Sequence, residues 1–114
     1  MPLPPLVRQH AEMKLSAFCE ARVPPAVRHA IRLTHKVRGN VITLIEERPH
    51  FRENHRIMQN PIAQFRYSPT FHAWRLFWRD RDTKWHPYVG VVPSKTLVPL
   101  LAEVNADPTC IFWG

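Results

Sequence analysis

The chain lacks several features by which small proteins are often classified. Its only cysteines, Cys19 and Cys110, form no motif spacing, which argues against a disulfide framework or a thiolate metal site. No apolar run is long enough to cross a bilayer, and residues 1–6 lack the charged-then-apolar order of a secretory signal. These absences predict a cytoplasmic protein with reduced thiols and no membrane partner.

Acidic residues are also scarce. Nine Asp and Glu stand against 16 Lys and Arg in 114 residues, which gives a formal net charge of +7 and a pI of about 10.3. The basic residues are mostly arginine, whose planar guanidinium matches the oxygens of phosphates and carboxylates. The hydrophobic fraction of 45% is typical of a globular domain, and the charge predicts a polyanionic partner such as nucleic acid.

The hydrophobic pattern predicts an α+β fold, with the whole chain, 1–114, as a single domain. Apolar residues recur at helical spacing near both ends. Between them, period-two alternation and turn residues indicate a curled five-stranded antiparallel sheet made of hairpin or meander units. The predicted elements are an extended segment over 1–5, a helix over 6–22, strands over 29–37, 41–48, 61–67, 71–79 and 84–89, a mobile loop over 49–60, and a second helix that Thr96 caps, followed by an apolar tail.

Two turns set the predicted strand register. A two-residue turn at 39–40 places Arg38 opposite Val41, and a tight turn over 80–83 places Trp78 opposite Trp85. A helix over 24–38 is the competing interpretation of the first strand, but the turn residues and the β-branched return strand favour a hairpin. Because a slip of one residue exchanges the two faces of a strand, these turns decide which side chains share a surface.

This register divides the sheet into an apolar face and a basic face. The apolar face, which the two helices are expected to cover, collects Ile31, Leu33, Val37, Ile42, Leu44, Ala63, Phe65, Trp74, Leu76, Trp78 and Trp85. The opposite face collects cations interleaved with rings, and it is the predicted nucleic-acid-binding surface: Arg32, Lys36, Arg38, Arg66, Arg75, Phe77, Arg79, Lys84, His86 and Tyr88.

Residues with catalytic or metal-binding potential form no complete motif, so no catalytic residue, metal or cofactor is predicted. The seven histidines have no zinc-site spacing, and the cysteines have no located base. Asp80 and Asp82 are interpreted as turn residues that accept backbone hydrogen bonds. The loop over 46–56 gathers five groups that leave a hydrolytic or metal-dependent site open as an alternative: Glu46, Glu47, His50, Glu53 and His55.

Several stretches are similar to a known family. They are Val23-Pro-Pro, the block from Arg38 to Pro49, Phe65-Arg-Tyr, the run from Trp74 to Arg81 with Trp85-His, and the ending Asp107-Pro-Thr-Cys-Ile-Phe-Trp-Gly. Over roughly residues 15–114 the chain resembles a family of small bacterial proteins catalogued only as a domain of unknown function, numbered 3024. The resemblance implies a compact one-domain fold with glycine expected where Cys110 stands, and it implies no activity.

Three functions follow from these observations as hypotheses. The first is a non-enzymatic protein that binds RNA or single-stranded DNA through the basic aromatic face. The second is a protein-binding module or inhibitor that docks on an acidic protein partner. The third is a small hydrolase that uses the loop over 46–56.

Overall fold

The computed structural model describes residues 2–50, 52–53 and 55–113. Within them the chain forms two helices and an open, five-stranded antiparallel sheet in the order β1-β2-β3-β4-β5, so the predicted α+β architecture is confirmed. The elements are α1 (Pro5–Arg22), a 3₁₀ turn (Pro25–Val27), β1 (Arg32–Arg38), β2 (Val41–Pro49), β3 (Ile57–Ser68), β4 (Ala73–Arg79), β5 (Trp85–Pro87) and α2 (Val98–Ala106).

Helix α1 follows the predicted apolar spacing. Ala11 and Leu15 are buried four residues apart, and proline occupies its first position, where the missing N–H costs no helical hydrogen bond. The helix therefore starts at Pro5, inside the segment predicted to be extended. It ends before Val23, because the two following prolines cannot continue it.

The first hairpin has the predicted register, with Arg38 opposite Val41 and Arg32 opposite Glu47. Gly39 has a φ of 59°, which suits the first position of a two-residue turn and which other residues adopt at a cost. Ile31 stands one residue before β1 and is half-buried, so it is not part of the apolar face of the strand.

The second hairpin is longer than predicted. Ile57 already pairs with Pro49, so β3 includes residues 57–60, and the predicted loop over 49–60 is wrong at both of its ends. Residues 57–60 are all exposed and extend the hairpin beyond the core, where hydrophobic alternation gives no indication of a strand. Ile62 is an extra residue in the ladder, and this bulge accommodates Pro61 inside the sheet. Phe51 and Asn54 of the predicted loop lie outside the described residues.

The register of β4 and β5 differs from the prediction by one residue. Trp78 pairs with His86, and Arg79 pairs with Trp85, so the turn spans residues 80–84 and not 80–83. Thr83 adds the extra residue with a φ of 65°. Asp80 stabilises the wider turn, because its carboxylate accepts hydrogen bonds from the N–H groups of residues 82 and 84 at 2.8 and 2.9 Å.

Helix α2 begins one residue later than a Thr96 cap requires. Leu97 occupies the N-cap position without a side-chain cap, whereas the Thr96 N–H donates to Ser94 Oγ at 3.3 Å. Pro99 lies in the first turn, as predicted. The two helices cover one sheet face and enclose the core with it, as expected; the fully buried residues include Leu15, Ile42, Leu44, Phe65, Leu97, Leu100 and Val104.

The chain after α2 folds back against both helices. The residues that join it to them are here called the C-terminal clasp: Arg22 of α1, Asn105 of α2, and Asp107, Phe112 and Trp113. The Asp107 carboxylate accepts hydrogen bonds from the N–H groups of Phe112 and Trp113 at 3.1 and 3.0 Å. The Trp113 indole donates to the Val104 carbonyl at 2.8 Å, and the Arg22 guanidinium lies 3.9 Å from its ring centroid. Cys110, where the resemblance implies glycine, has a φ of 57°, a conformation that glycine adopts most easily.

Candidate functional site

The site is built on the sheet face that points away from the helices, called the outer face. Strand pairing aligns its residues in rows across the sheet. One row reads Arg38, Val41, Arg66, Arg75 across four strands, and the next reads Lys36, Thr43, Gln64, Phe77. Arg32 and Arg79 lie on the same face by the alternation of β1 and β4, so the predicted basic residues of these strands share one surface.

Three predicted members are placed differently from the prediction, and a fourth lies on the predicted face but is buried. His86 and Tyr88 belong to the helix-covered side, where His86 stacks 4.8 Å from Trp78 and Tyr88 packs 5.1 Å from Phe112. Trp85, predicted for the core, lies on the outer face in their place, because the wider turn shifts β5 by one residue. Lys84 lies in that turn and not in a strand, and Phe77 is on the outer face but is only 7% exposed.

The outer face is concave. A groove of about 1020 Å³ is lined both by Lys36 and Arg38 of the first strand and by Trp85 of the fifth. Flat neighbouring strands lie about 4.8 Å apart, so these residues would be separated by about 19 Å in a flat sheet. The sheet must therefore curl around this face, which explains why Ile45 and Phe77 are buried although they point away from the helices.

Arg66 lines the groove and belongs to a cluster with two neighbouring residues, here called the Arg66–Arg75 cluster (Arg66, Arg75 and Phe77). The guanidinium carbons of Arg66 and Arg75 lie 3.9 and 5.3 Å from the Phe77 ring centroid. The Arg66 Nε and Nη2 groups both donate to Gln64 Oε1, at 3.1 and 2.9 Å. The Gln64 amide in turn donates to Thr43 Oγ1 at 3.2 Å, so a chain of hydrogen bonds fixes Arg66 in position.

Cations of the outer face have no acidic partner in the described part of the chain. The ion pairs among the described residues involve other side chains: they join Arg8 and His35 to Glu12, Arg48 to Glu46, Arg56 to Glu53, and His86 to Asp80. Glu47 is the acidic residue of this face, and it accepts a hydrogen bond from Gln59 at 2.7 Å. The positive charge of Lys36, Arg38 and Arg66 in the groove, and of Arg75 beside Arg66 on the same face, therefore has no acidic partner among the described residues.

A second basic cavity lies at the end of the β2–β3 hairpin that carries its turn. It has a volume of about 610 Å³ and combines exposed Ile57 and Met58 with four arginines, Arg28, Arg32, Arg48 and Arg56. Gln59 connects the two regions, because its carbonyl accepts from Lys36 at 3.4 Å and its amide donates to Glu47, which lines this cavity. The basic surface thus extends beyond the groove along the length of the strands.

The residues considered for catalysis do not converge. Glu46 and Glu47 point to opposite faces of β2, and the His50 ring accepts the N–H groups of residues 52 and 53 at 3.2 and 3.1 Å. In the described ranges, no group of three or more His, Cys, Asp or Glu side chains is arranged to hold a metal ion. Burial raises the pKa of the Cys19 thiol to about 11, which leaves it protonated and unreactive at neutral pH.

Asp80, predicted as a turn residue, has that role. Its carboxylate accepts the His86 Nε2 hydrogen bond at 2.6 Å as well as the two backbone N–H groups of the turn. The hydrogen bond from His86, followed by those of the backbone, holds the pKa of Asp80 below its ordinary value. The group is thus a charged anchor of the β4–β5 turn.

Sequence reasoning missed three members of the site. The sequence predicts Trp85 for the core because the predicted turn before it is one residue too short. Asp80 is the residue that indicates the longer turn, because its side chain accepts hydrogen bonds from two N–H groups of that turn. Gln64 and Thr43 were not singled out. Their partnership depends on a cross-strand pair, Thr43 opposite Gln64, which becomes visible only once the β2–β3 register is known.

Comparison with known proteins identifies the family. The model of the family described as Domain of unknown function (DUF3024) matches residues 3–114, and the chain belongs to this family. No curated protein and no solved structure matches the chain. Among the described residues, no helix is long and apolar enough to cross a membrane.

Proposed function

We propose that this member of the DUF3024 family binds single-stranded nucleic acid along its outer face. The observation that carries the proposal is the concave groove in which Lys36, Arg38 and Arg66 lie together without an acidic partner in the described chain. Such cations bind the phosphate backbone, because neutralising phosphates releases condensed counterions. A cytoplasmic location for this activity stays a prediction.

The ring at the groove wall favours a single strand over a duplex. Trp85 is half-buried and lines the groove beside the cations, so its exposed part offers a surface on which an unpaired base can stack. The bases of a duplex are already stacked and paired, and their edges are not accessible to a ring on a concave wall. Phe77 does not take part in stacking, because Arg66 covers it.

The first test removes two exposed cations of the groove. In the double variant Lys36→Gln/Arg38→Gln we expect about tenfold weaker binding of a fluorescein-labelled single-stranded oligonucleotide, measured by anisotropy at 50 mM salt. The wild type should lose about 50-fold in affinity between 50 and 200 mM salt if four phosphates are contacted, and the double variant should show about half that slope.

The matched control removes two charges outside the groove. Arg8 is paired with Glu12 on α1, and Lys95 is exposed before α2; neither lines the groove. The double variant Arg8→Gln/Lys95→Gln has the same net charge as the groove variant and should bind within twofold of the wild type. Equal losses in both variants, or no oligonucleotide binding at 50 mM salt, would contradict the proposal.

A second pair of variants tests the ring. Trp85→Phe keeps an aromatic surface and should retain most of the affinity, whereas Trp85→Leu keeps the apolar volume and should lose about fivefold or more, since stacking contributes about 1–3 kcal/mol per base. A nuclease-resistant complex with an acidic protein, unaffected by either Trp85 variant, would instead favour a protein partner.

A further inference from the structure

The Arg66–Arg75 cluster has a feature that groove binding alone does not explain. Arg66 and Arg75 are directly opposed across β3 and β4, on the same face, and both guanidinium groups approach one ring. Like charges in directly opposed positions destabilise a sheet. The ring quadrupole attracts each cation, but it does not remove the repulsion between them.

Nothing in the described chain neutralises this repulsion. Arg75 is exposed and makes no side-chain hydrogen bond or ion pair with the described residues, and Arg66 is held by the neutral side chain of Gln64. Burial, and then the charge of Arg75, lower the pKa of Arg66, which reports the same unfavourable proximity. An anion between the two guanidinium groups would relieve it.

The hydrogen-bonding capacity left over fits an oxyanion. Arg66 uses two of its five N–H bonds on Gln64, and those of Arg75 are all available. We propose that Arg66 and Arg75 form a preorganised binding site for one phosphate group, with Phe77 as its floor and Gln64 as the side chain that positions Arg66. The inference deepens the proposed function and rests on it for the source of the phosphate, which is either an internal phosphodiester or a terminal phosphomonoester of the strand.

A phosphate suits the site better than a carboxylate does. A carboxylate offers two oxygens in one plane and is satisfied by one guanidinium fork, whereas a phosphate presents oxygens in several directions and accepts from two guanidinium groups at once. The pair of charges also favours the dianion of a terminal phosphate over the single charge of a phosphodiester.

Inorganic phosphate is the first probe. We expect 50 mM sodium phosphate at pH 7 to raise the Tm of the wild type by about 3–5 °C over sodium chloride and sodium acetate of the same ionic strength, as a dissociation constant near 10 mM predicts. Equal Tm values in the three salts would overturn the proposal, since general screening acts alike in all of them.

Two single variants locate the effect. Arg75→Gln removes one cation of the pair and leaves Arg66 on Phe77; it should lose the phosphate-specific rise in Tm. Lys95→Gln, the control, removes one exposed cation outside the groove and should keep it. A phosphate-specific rise that survives in Arg75→Gln, or that disappears equally in Lys95→Gln, would show that the site lies elsewhere.

Oligonucleotide binding separates this inference from the proposed function. A 5′-phosphorylated strand that binds at least threefold more tightly than its unphosphorylated form, in the wild type but not in Arg75→Gln, supports a site for a terminal phosphate; an equal loss for both strands in Arg75→Gln supports an internal phosphodiester. Tight, salt-sensitive binding that Arg75→Gln leaves unchanged would overturn the site and keep the function. A phosphate-specific Tm rise without any oligonucleotide binding would keep the phosphate site and overturn the proposed function.

Discussion

Two arginines of this protein have almost the same local geometry in two different regions. Arg22 lies 3.9 Å from the ring centroid of Trp113 in the C-terminal clasp, and Arg66 lies 3.9 Å from that of Phe77 on the outer face. Each is also held by an amide oxygen, Arg22 by Asn105 at 2.7 Å and Arg66 by Gln64 at 2.9 Å. The same arrangement therefore occurs once on the helix-covered side and once on the opposite side of the sheet.

The surroundings of the two arginines differ. Around Arg22 the polar groups are satisfied within the chain, because its guanidinium also reaches the Asn105 carbonyl and Asp107 holds the backbone that carries Trp113. Around Arg66 a second guanidinium approaches and no carboxylate does, among the residues described. A stacked arginine is therefore a structural element where its hydrogen bonds join separate parts of the chain, as Arg22 joins α1 to Asn105 of α2, and a candidate ligand-binding group where a second cation stands beside it, as at Arg66.

The largest expected effect on stability comes from Asp107, which holds the C-terminal clasp together. Asp107→Ala removes both acceptors for the N–H groups of residues 112 and 113 and places alanine at a φ of 43°. We expect the free energy of unfolding to fall by about 3–4 kcal/mol in urea titrations, since a hydrogen bond to a charged group contributes about 1.5–3 kcal/mol. Asp107→Asn, which tolerates the left-handed conformation and keeps one acceptor, should lose about half as much.

The control for this prediction is Asp82→Ala. Asp82 is exposed in the β4–β5 turn and its side chain makes no hydrogen bond to the described residues, so we expect a change within about 0.5 kcal/mol. If Asp107→Ala were no more destabilising than Asp82→Ala, the clasp would not hold the end of the chain as described.

A smaller effect distinguishes the surroundings of the two stacked arginines, because Arg75 is the second cation beside Arg66. Arg22→Gln loses a ring contact and the hydrogen bonds to Asn105, and it should lower the free energy of unfolding by about 1–2 kcal/mol. Arg75→Gln removes a repulsive neighbour of Arg66 and should change it by less than about 0.5 kcal/mol, toward higher stability at low salt. Urea titrations at 20 and 500 mM salt measure both; equal losses for the two variants would remove the distinction between the regions.

The strand order and the basic outer face could be predicted from the sequence, whereas the face of Trp85 could not. The two-residue turn leaves one register for β1 and β2. Its residues, together with alternation along β3 and β4, were sufficient for the order of the strands and for the shared face of Arg32, Lys36, Arg38, Arg66 and Arg75. They were insufficient at Trp85. There a carboxylate that caps the turn and a threonine in the left-handed region widened the connection by one residue and exchanged the faces of β5.

The curl of the sheet limited prediction in a different way. Alternation assigns Phe77 to the outer face, but no local pattern reports that curvature brings Arg66 over the ring and leaves Phe77 only 7% exposed. The rings of the predicted aromatic surface are therefore not available for stacking, and Trp85, predicted for the core, lines the groove instead. The role of Phe77 changes from a stacking surface for a base to a support for two guanidinium groups. Both depend on contacts between strands, which sequence periodicity does not contain.

The smallest expected effect concerns a hydrogen-bonded pair, His35 and Glu12, on the helix-covered side of the sheet. There the His35 Nε2 group and the Glu12 carboxylate join β1 to α1 at 2.9 Å, and the hydrogen bond from His35 is the main reason that the pKa of Glu12 lies below its ordinary value of 4.5. A carboxyl whose folded pKa is lowered stabilises the protein above its unfolded pKa, and this stability is lost as the pH falls through the folded pKa. The wild type should therefore be more stable than Glu12→Gln at pH 6, and the difference should shrink as the pH falls below 4.5. Glu20→Gln, which removes an exposed carboxylate from the same helix, is the control; urea midpoints for Glu12→Gln and Glu20→Gln that follow the same pH dependence would show that the Glu12–His35 pair contributes nothing of its own.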